Sequence, residues 1–313
     1  MTTRRDFLRT AALYGTAFAG LRMLTRHGLF AANTPSAAVG FGPLMDDPDD
    51  ILRLPAGFSY VKFSAMGEEM VDGLLVPGSH DGMAAFMGPG GRTLLVRNHE
   101  LESSARERGP YGLTYERFNR VDPTKIYDRG GGVQPSLGGT TTLVFDTRTQ
   151  RLESHFLSLV GTERNCAGGP TPWGTWVTCE EINAEPEAHA EQLHGYNFEV
   201  APSVTPGLVD PVPLKAMGRF RHEAVAIDPR SGCVYETEDL ADGLLYRFIP
   251  DKPGRLAAGG RLQALKLRDR AGGDTRNWSG TPPFPLGEPV PVEWIDLDEI
   301  DSPQNDLRHR GAA

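Results

Sequence analysis

The sequence predicts an all-β fold of radially repeated sheets, a β-propeller, and three observations carry the prediction. Short apolar runs rich in β-branched and aromatic residues recur along the chain, and 37 Gly and 25 Pro leave little room for long helices. Three of these runs finish on acids: Thr93 to Glu100, Thr175 to Glu181 and Gly232 to Asp239. An apolar strand, an Asp-x-Arg-x turn and a second strand occur at Asp146 and again at Asp228, which reads as equivalent outer hairpins of two blades. A large β-sandwich is the competing arrangement that periodicity alone leaves open.

Taken in order, residues 1–38 come first. Arg4-Arg5-Asp6-Phe7-Leu8, the apolar run Ala11 to Leu21 and the small residues Ser36-Ala37-Ala38 resemble a bacterial twin-arginine export signal. The run is too short and too rich in Gly and Thr for a membrane span. That route exports folded proteins, so it points to a cofactor loaded before export, to the twin-arginine machinery as a partner, and to a periplasmic or extracellular destination.

The body, residues 39–313, reads as one propeller domain with long loop insertions. Asp46-Asp47-Pro48-Asp49-Asp50 is a loop, and Leu54 to Phe58 turns into a strand expected over Ser59 to Phe63. Strands follow at Met83 to Phe86 and Thr93 to Glu100. Leu101 to Ser136 is polar and turn-rich and reads as a surface excursion. Gly138 to Asp146 and the run ending near Val160 form a hairpin. Gly168, Gly169, Pro170 and Pro172 predict a tight loop before a strand from Thr175 to Cys179. Gly195 to Val200, Ala224 to Ile227, Gly232 to Asp239, Gly243 to Pro250, Leu262 to Leu267 and Val292 to Leu297 complete the strands.

Acids at strand ends are the chemical signal. Like charges near low dielectric repel and lose hydration unless a cation sits between them. In a propeller, loops at one end converge, so Glu100, Glu180, Glu181, Glu223, Glu236, Glu238 and Asp239 with Cys166 are candidate ligands. Hard oxygen donors suit calcium and ferric iron, and a thiolate adds a preference for a transition metal. His99 is a further candidate, although a lone His beside a strand end is more often a hydrogen-bonded structural residue. Three cysteines, Cys166, Cys179 and Cys233, cannot all pair within one chain, and no Cys-x-x-Cys zinc spacing occurs. A net charge of −9 argues against nucleic acid as a partner.

Longer motifs then resemble a known family. Leu54-Pro55-Ala56-Gly57-Phe58-Ser59-Tyr60, Asp81-Gly82-Met83-Ala84-Ala85-Phe86, Arg97-Asn98-His99-Glu100, Gly138-Gly139-Thr140, the block Cys166 to Glu181, Arg219-Phe220-x-His222-Glu223 and Thr237-Glu238-Asp239 together resemble the PhoX family of bacterial alkaline phosphatases. The resemblance implies a propeller holding ferric iron (Fe3+) and calcium (Ca2+) and hydrolysing small phosphate monoesters outside the cytoplasm, with a monomer expected. It assigns the iron-binding thiol to Cys166 ahead of Cys179, and it places Glu223 in the iron and calcium cluster. Glu100, Glu180, Glu181 and Glu238 follow as acids at or near the metals. Relatives of the family continue with further blades and an Arg-x-Glu motif that supplies a phosphate-binding arginine and a metal ligand. The expectation is therefore a propeller missing its C-terminal blades, with that arginine beyond Ala313 and the cluster incomplete. A non-catalytic propeller binding calcium or a partner, and a propeller lactonase with one calcium, are the alternatives.

Overall fold

In the computed structural model, residues 40–183, 189–270, 272–278 and 284–311 are described. The expected export signal lies outside them. The chain divides into two compact units, Met1–Val61 and Lys62–Ala313.

The first unit contains a short antiparallel pair, β1 (Leu44–Met45) and β2 (Leu54–Pro55). Asp47 organises the loop between them: its carboxylate accepts the N–H groups of Asp49, Ile51 and Leu52 and the Tyr60 hydroxyl. The Leu52 N–H, then the Tyr60 hydroxyl and the Ile51 N–H, hold that carboxyl far below the usual carboxylate range. The strand expected over 59–63 is absent. Tyr60 is turned toward Asp47, and among the described residues no neighbouring strand offers the segment a ladder.

Among the described residues the second unit holds three antiparallel sheets, each laid down in chain order. The first holds β3 (His80–Met87), β4 (Arg92–His99), β5 (Gly138–Asp146) and β6 (Arg151–Thr162). The second holds β7 (Asn165–Pro170), β8 (Trp176–Glu180) and β9 (Asn197–Val200). The third holds β10 (His222–Ile227), β11 (Val234–Glu238), β12 (Leu245–Pro250), β13 (Gly260–Leu267) and β14 (Val292–Asp296). Their first strands lie side by side, with β7 between β3 and β10. Sheets that meet through their first strands and fan outward are blades of a propeller.

Side chains fill the wedges between blades. Val96 and Leu159 from the first sheet meet Trp176, Phe198 and Val200 from the second. Val177 and Cys179 meet Val225, Val234, Tyr246 and Phe248 from the third. Each of these large side chains contributes about 1.5–3 kcal/mol by leaving water.

The glycine-rich stretch before Thr175 is a strand and not a loop. A Cβ on Gly169 would sit 2.1 Å from the Val225 carbonyl oxygen, and one on Gly82 would sit 2.8 Å from that of Cys166. The glycines are there because β7 is pressed between two neighbouring sheets, where backbones approach too closely for side chains. The segment 101–136 also differs from a surface excursion. Leu101, Tyr111, Val121 and Ile126 are buried with Met70, Leu74 and Leu157 in a second core, so the segment folds back over the first sheet. The two Asp-x-Arg-x turns are not equivalent: the Asp146 turn joins the outer strands β5 and β6, whereas the Asp228 turn joins the inner strands β10 and β11. In both, the Asp side chain accepts the N–H two residues on, a local device that says nothing about position in a blade. A short helix, α1 (Leu307–Gly311), ends the described residues, and no described helix is long and apolar enough to cross a membrane.

Candidate metal centre

The same backbone figure occurs at one end of all three sheets. His80 pairs with His99, Asn165 with Glu180, and His222 with Glu238. After each pair the inner strand advances three residues, to Met83, Gly168 and Val225, while its partner retreats two, to Arg97, Thr178 and Glu236. This is a β-bulge, which leaves residues unpaired and re-aims a side chain. The first unpaired residue is Asp81 in one sheet, Cys166 in the next and Glu223 in the third.

The second strands add the other half. Glu100, Glu181 and Asp239 each lie one residue past the end of β4, β8 and β11. Their N–H groups donate to the carbonyls of Ser79, Arg164 and Arg221 at 2.9, 2.9 and 3.1 Å. These carbonyls belong to the residue just before each bulged strand. The repeat therefore places six ligand-type side chains in two rows of three.

The rows converge. The Cys166 Sγ lies 3.7 Å from Asp81 Oδ1 and 3.6 Å from Glu223 Oε1. Donor atoms of Asp81, Glu100 and Cys166 all fall within 4.8 Å of one another, as do those of Cys166, Glu181 and Glu223. Cys166 belongs to both groups. Two guanidiniums thread between the acids. The Nη2 of Arg164 donates to Glu100 Oε1 at 2.8 Å and Glu181 Oε2 at 3.1 Å, and its Nη1 to Glu102 Oε1 at 3.1 Å. The Nη2 of Arg221 donates to Glu181 Oε1 at 2.5 Å and lies 3.9 Å from Asp239 Oδ2.

Crowding shifts the proton affinities of these groups. Burial, then the Glu181 charge, raises Glu223, and burial with the Glu181 charge outweighs Arg164 to raise Glu100. A hydrogen bond to Glu181 raises Asp239. Burial, followed by Glu223 and Asp81, pushes the Cys166 thiol far up. Burial also acts on Glu181, but hydrogen bonds from Arg164, Asp239 and Arg221 overcome it and lower this one carboxyl. One thiol and four carboxylates make up the donor groups, with Asp239 bonded to Glu181 beside them and two guanidiniums among them, a donor set that fits a multivalent cation.

Not every expected acid joins. Glu180 points the opposite way from Glu181 and is fully buried, accepting the N–H groups of Glu163, Gly195 and Tyr196 and bonding His194 Nδ1 at 2.6 Å. Glu238 accepts the Leu244 N–H and the Tyr246 hydroxyl, and Glu236 accepts Asn197 Nδ2. Both lie outside the two donor groups. Cys179 is packed in the core between the second and third sheets. His99 is also outside, bonded through Nδ1 to the Gly78 carbonyl and through Nε2 to the Thr141 hydroxyl. All three cysteines are free thiols.

Asp81, Arg164 and Arg221 escaped the sequence reading. No residue type is common to His80-Asp81-Gly82, Asn165-Cys166-Ala167 and His222-Glu223-Ala224, and the shared bulge register is what makes them equivalent. The bulge also has a rigid back. Asn98 Nδ2 donates to the carbonyls of Cys166 and Ala167, both at 2.8 Å, and its Oδ1 accepts Trp176 Nε1 at 2.8 Å. With these bonds the first sheet holds the Cys166 backbone of the second.

Comparison with known proteins places the chain. Residues 39–312 match the family described as alkaline phosphatase PhoX. A solved structure, "Pseudomonas fluorescens PhoX in complex with vanadate, a transition state analogue", is similar at 18% identity and a TM-score of 0.49 over 77% of this chain. The chain spans 54% of that solved chain. No curated protein matches.

Proposed function

The chain belongs to the PhoX family of alkaline phosphatases, and from that premise we propose that it is a cation-dependent phosphatase acting on phosphate monoesters. The observation that carries the reading is the convergence of Asp81, Glu100, Cys166, Glu181 and Glu223 from three successive sheets, with Asp239 at the margin bonded to Glu181. Ferric iron at the Cys166 thiol and calcium at the carboxylates are the cations this donor set suits. When bound, they would neutralise phosphate oxygens and stabilise charge gathering in the transition state.

The chain's own residues do the placing. The bulges fix Asp81, Cys166 and Glu223, and the Asn98 bonds hold the bulged backbone at Cys166 and Ala167 in place. The Cys166 Sγ lies within hydrogen-bond distance of Glu223 Oε1 and Asp81 Oδ1, so either carboxylate would accept the thiol proton when the sulfur becomes a ligand. Glu181 is 5% exposed, which keeps water from one wall of the cluster and strengthens the field there. Export in the folded, loaded state by the twin-arginine machinery to the periplasm or beyond belongs to the same proposal.

The test is elemental analysis of the purified protein together with turnover of 4-nitrophenyl phosphate. Iron and calcium in the wild type, with both iron and turnover reduced roughly 100-fold or more in Cys166→Ser and kept in Cys179→Ser, is the expected result, in line with loss of a ligand the chemistry depends on. Wild-type protein with neither metal nor turnover would defeat it. Arg164 and Arg221, the two guanidiniums in the cluster, are both held by carboxylates. That arrangement favours one second reading, a cation-binding propeller that does not hydrolyse phosphoesters. Cation uptake without turnover would select it.

A further inference from the structure

Arg164 and Arg221 occupy equivalent places in the repeat, two residues before Cys166 and Glu223, and the corresponding residue of the first sheet is Ser79. Each arginine ties the acid that ends its own sheet's second strand to the acid from the preceding sheet: Arg164 joins Glu181 to Glu100, and Arg221 joins Asp239 to Glu181. The six ligand-type residues thus fall into two classes. Asp81, Cys166 and Glu223 of the bulge row have no arginine partner among the described ion pairs, whereas Glu100, Glu181 and Asp239 are the guanidinium-held row.

We propose that Arg164 is an intramolecular competitor for the bound cation, its Nη2 standing on the carboxylate oxygens of Glu100 and Glu181 that the cation would take. The inference rests on the cation-binding reading above and deepens it. Three observations carry it. One nitrogen of Arg164 reaches a carboxylate from each of the two donor groups, which is where a shared cation has to be attractive. Both oxygens of Glu181 already accept guanidinium N–H groups, Oε2 from Arg164 and Oε1 from Arg221, so a cation must displace or share at least one. Arg164 also keeps a second anchor, Glu102, half in solvent and outside the donor groups, onto which the guanidinium retains a partner after giving up the others.

Charge sets the direction. Five carboxylates close together repel, and a guanidinium among them relieves part of that repulsion in the cation-free protein. A compact divalent or trivalent ion relieves more at the same distance, since Coulomb energy scales with the charge product. The arginine therefore holds the acids in place until the stronger cation arrives, and it lowers apparent affinity by the free energy of breaking its own bonds. The ion pairs among the acids are the cation's opponents as well as the scaffold's support.

The experiment is calcium titration by calorimetry of the full chain, wild type against Arg164→Gln and Arg164→Lys, with thermal melts of the calcium-free proteins. A lysine keeps the charge but cannot span Glu100, Glu102 and Glu181 at once, so it protects the variant series if the glutamine form folds poorly. Arg164→Gln is expected to bind calcium roughly tenfold tighter than wild type and to melt lower without calcium, with Arg164→Lys between the two in both respects. Arg92→Gln, which removes an exposed ion pair between β4 and Glu153 of β6, leaves calcium affinity unchanged as a control. Unchanged or weaker calcium binding in both Arg164 variants, with wild type still binding, overturns the competitor role and leaves the cation site standing. Calcium binding by none of the proteins overturns both.

Discussion

Neighbouring acids meet opposite fates in this chain. Glu180 ends β8 facing inward and is satisfied by three backbone N–H groups and His194, whereas Glu181, one residue on, enters the cluster. Successive strand residues point to opposite faces, so a pair of adjacent acids cannot share one site. His194 shows what the inward acid is for. Burial works against its charged form, but Glu180 and Asp128 outweigh burial and push its pKa up to about 10 from 6.5. Between those values the native state holds a proton that the unfolded chain has released, so this contribution is complete below pH 6.5 and is lost as pH rises through 10. Melting temperature should fall from pH 7 to pH 10, by a loss on the order of 3–5 kcal/mol at the site. In His194→Gln that slope should flatten; an equally steep decline in the variant would refute the assignment. Cys166 was legible as a candidate donor because it stood in the acid-bearing block, and it lies in both donor groups. Cys179 stood in the same block, and only its burial at 0% exposure among Val177, Met217 and Phe220 removes it.

At the scale of elements, the repeated bulge is the unit that makes the site. Its donor changes from Asp81 to Cys166 to Glu223 while the register stays the same. The strand β7 carries the middle copy and shows why glycine content misled. Gly168 and Gly169 read as a turn because glycine favours turns, yet the same residue is what a strand needs where a neighbouring backbone comes too close. Gly169→Ala should therefore cost about 3 kcal/mol or more, since its Cβ would lie 2.1 Å from a backbone oxygen that cannot swing aside. Gly207→Ala, with nothing within 4 Å, is the matched control and should melt within a degree or two of wild type. Denaturant melts of the pair decide the matter, and equal stability would mean that β7 and β10 are not so closely packed.

Over the whole second unit, the site belongs to no single sheet. The first sheet supplies Asp81 and Glu100, the second Cys166 and Glu181, and the third Glu223 and Asp239. A cation held among them bridges sheets, so calcium binding is predicted to stabilise the fold by about 2.7 kcal/mol at a hundredfold excess over the dissociation constant. A chelator should reverse the rise in melting temperature. Failure of calcium, and of ferric iron, to move it at any concentration would argue that the acids are held by arginine alone.

Much of this was written in the chain. Alternating apolar runs determined that it is a β protein, since a pleated strand half exposed needs a period of two. Acids following apolar strands determined that one end would be anionic. The sequence could not say which acid of each adjacent pair faces the cluster, that Asp81 joins it, or that two arginines hold it together. Those outcomes depend on register and on the packing of three sheets through their first strands, where residues far apart in sequence come within a few ångströms. Local propensity carries no information about such distances; the bulge and the close approach of backbones decide them.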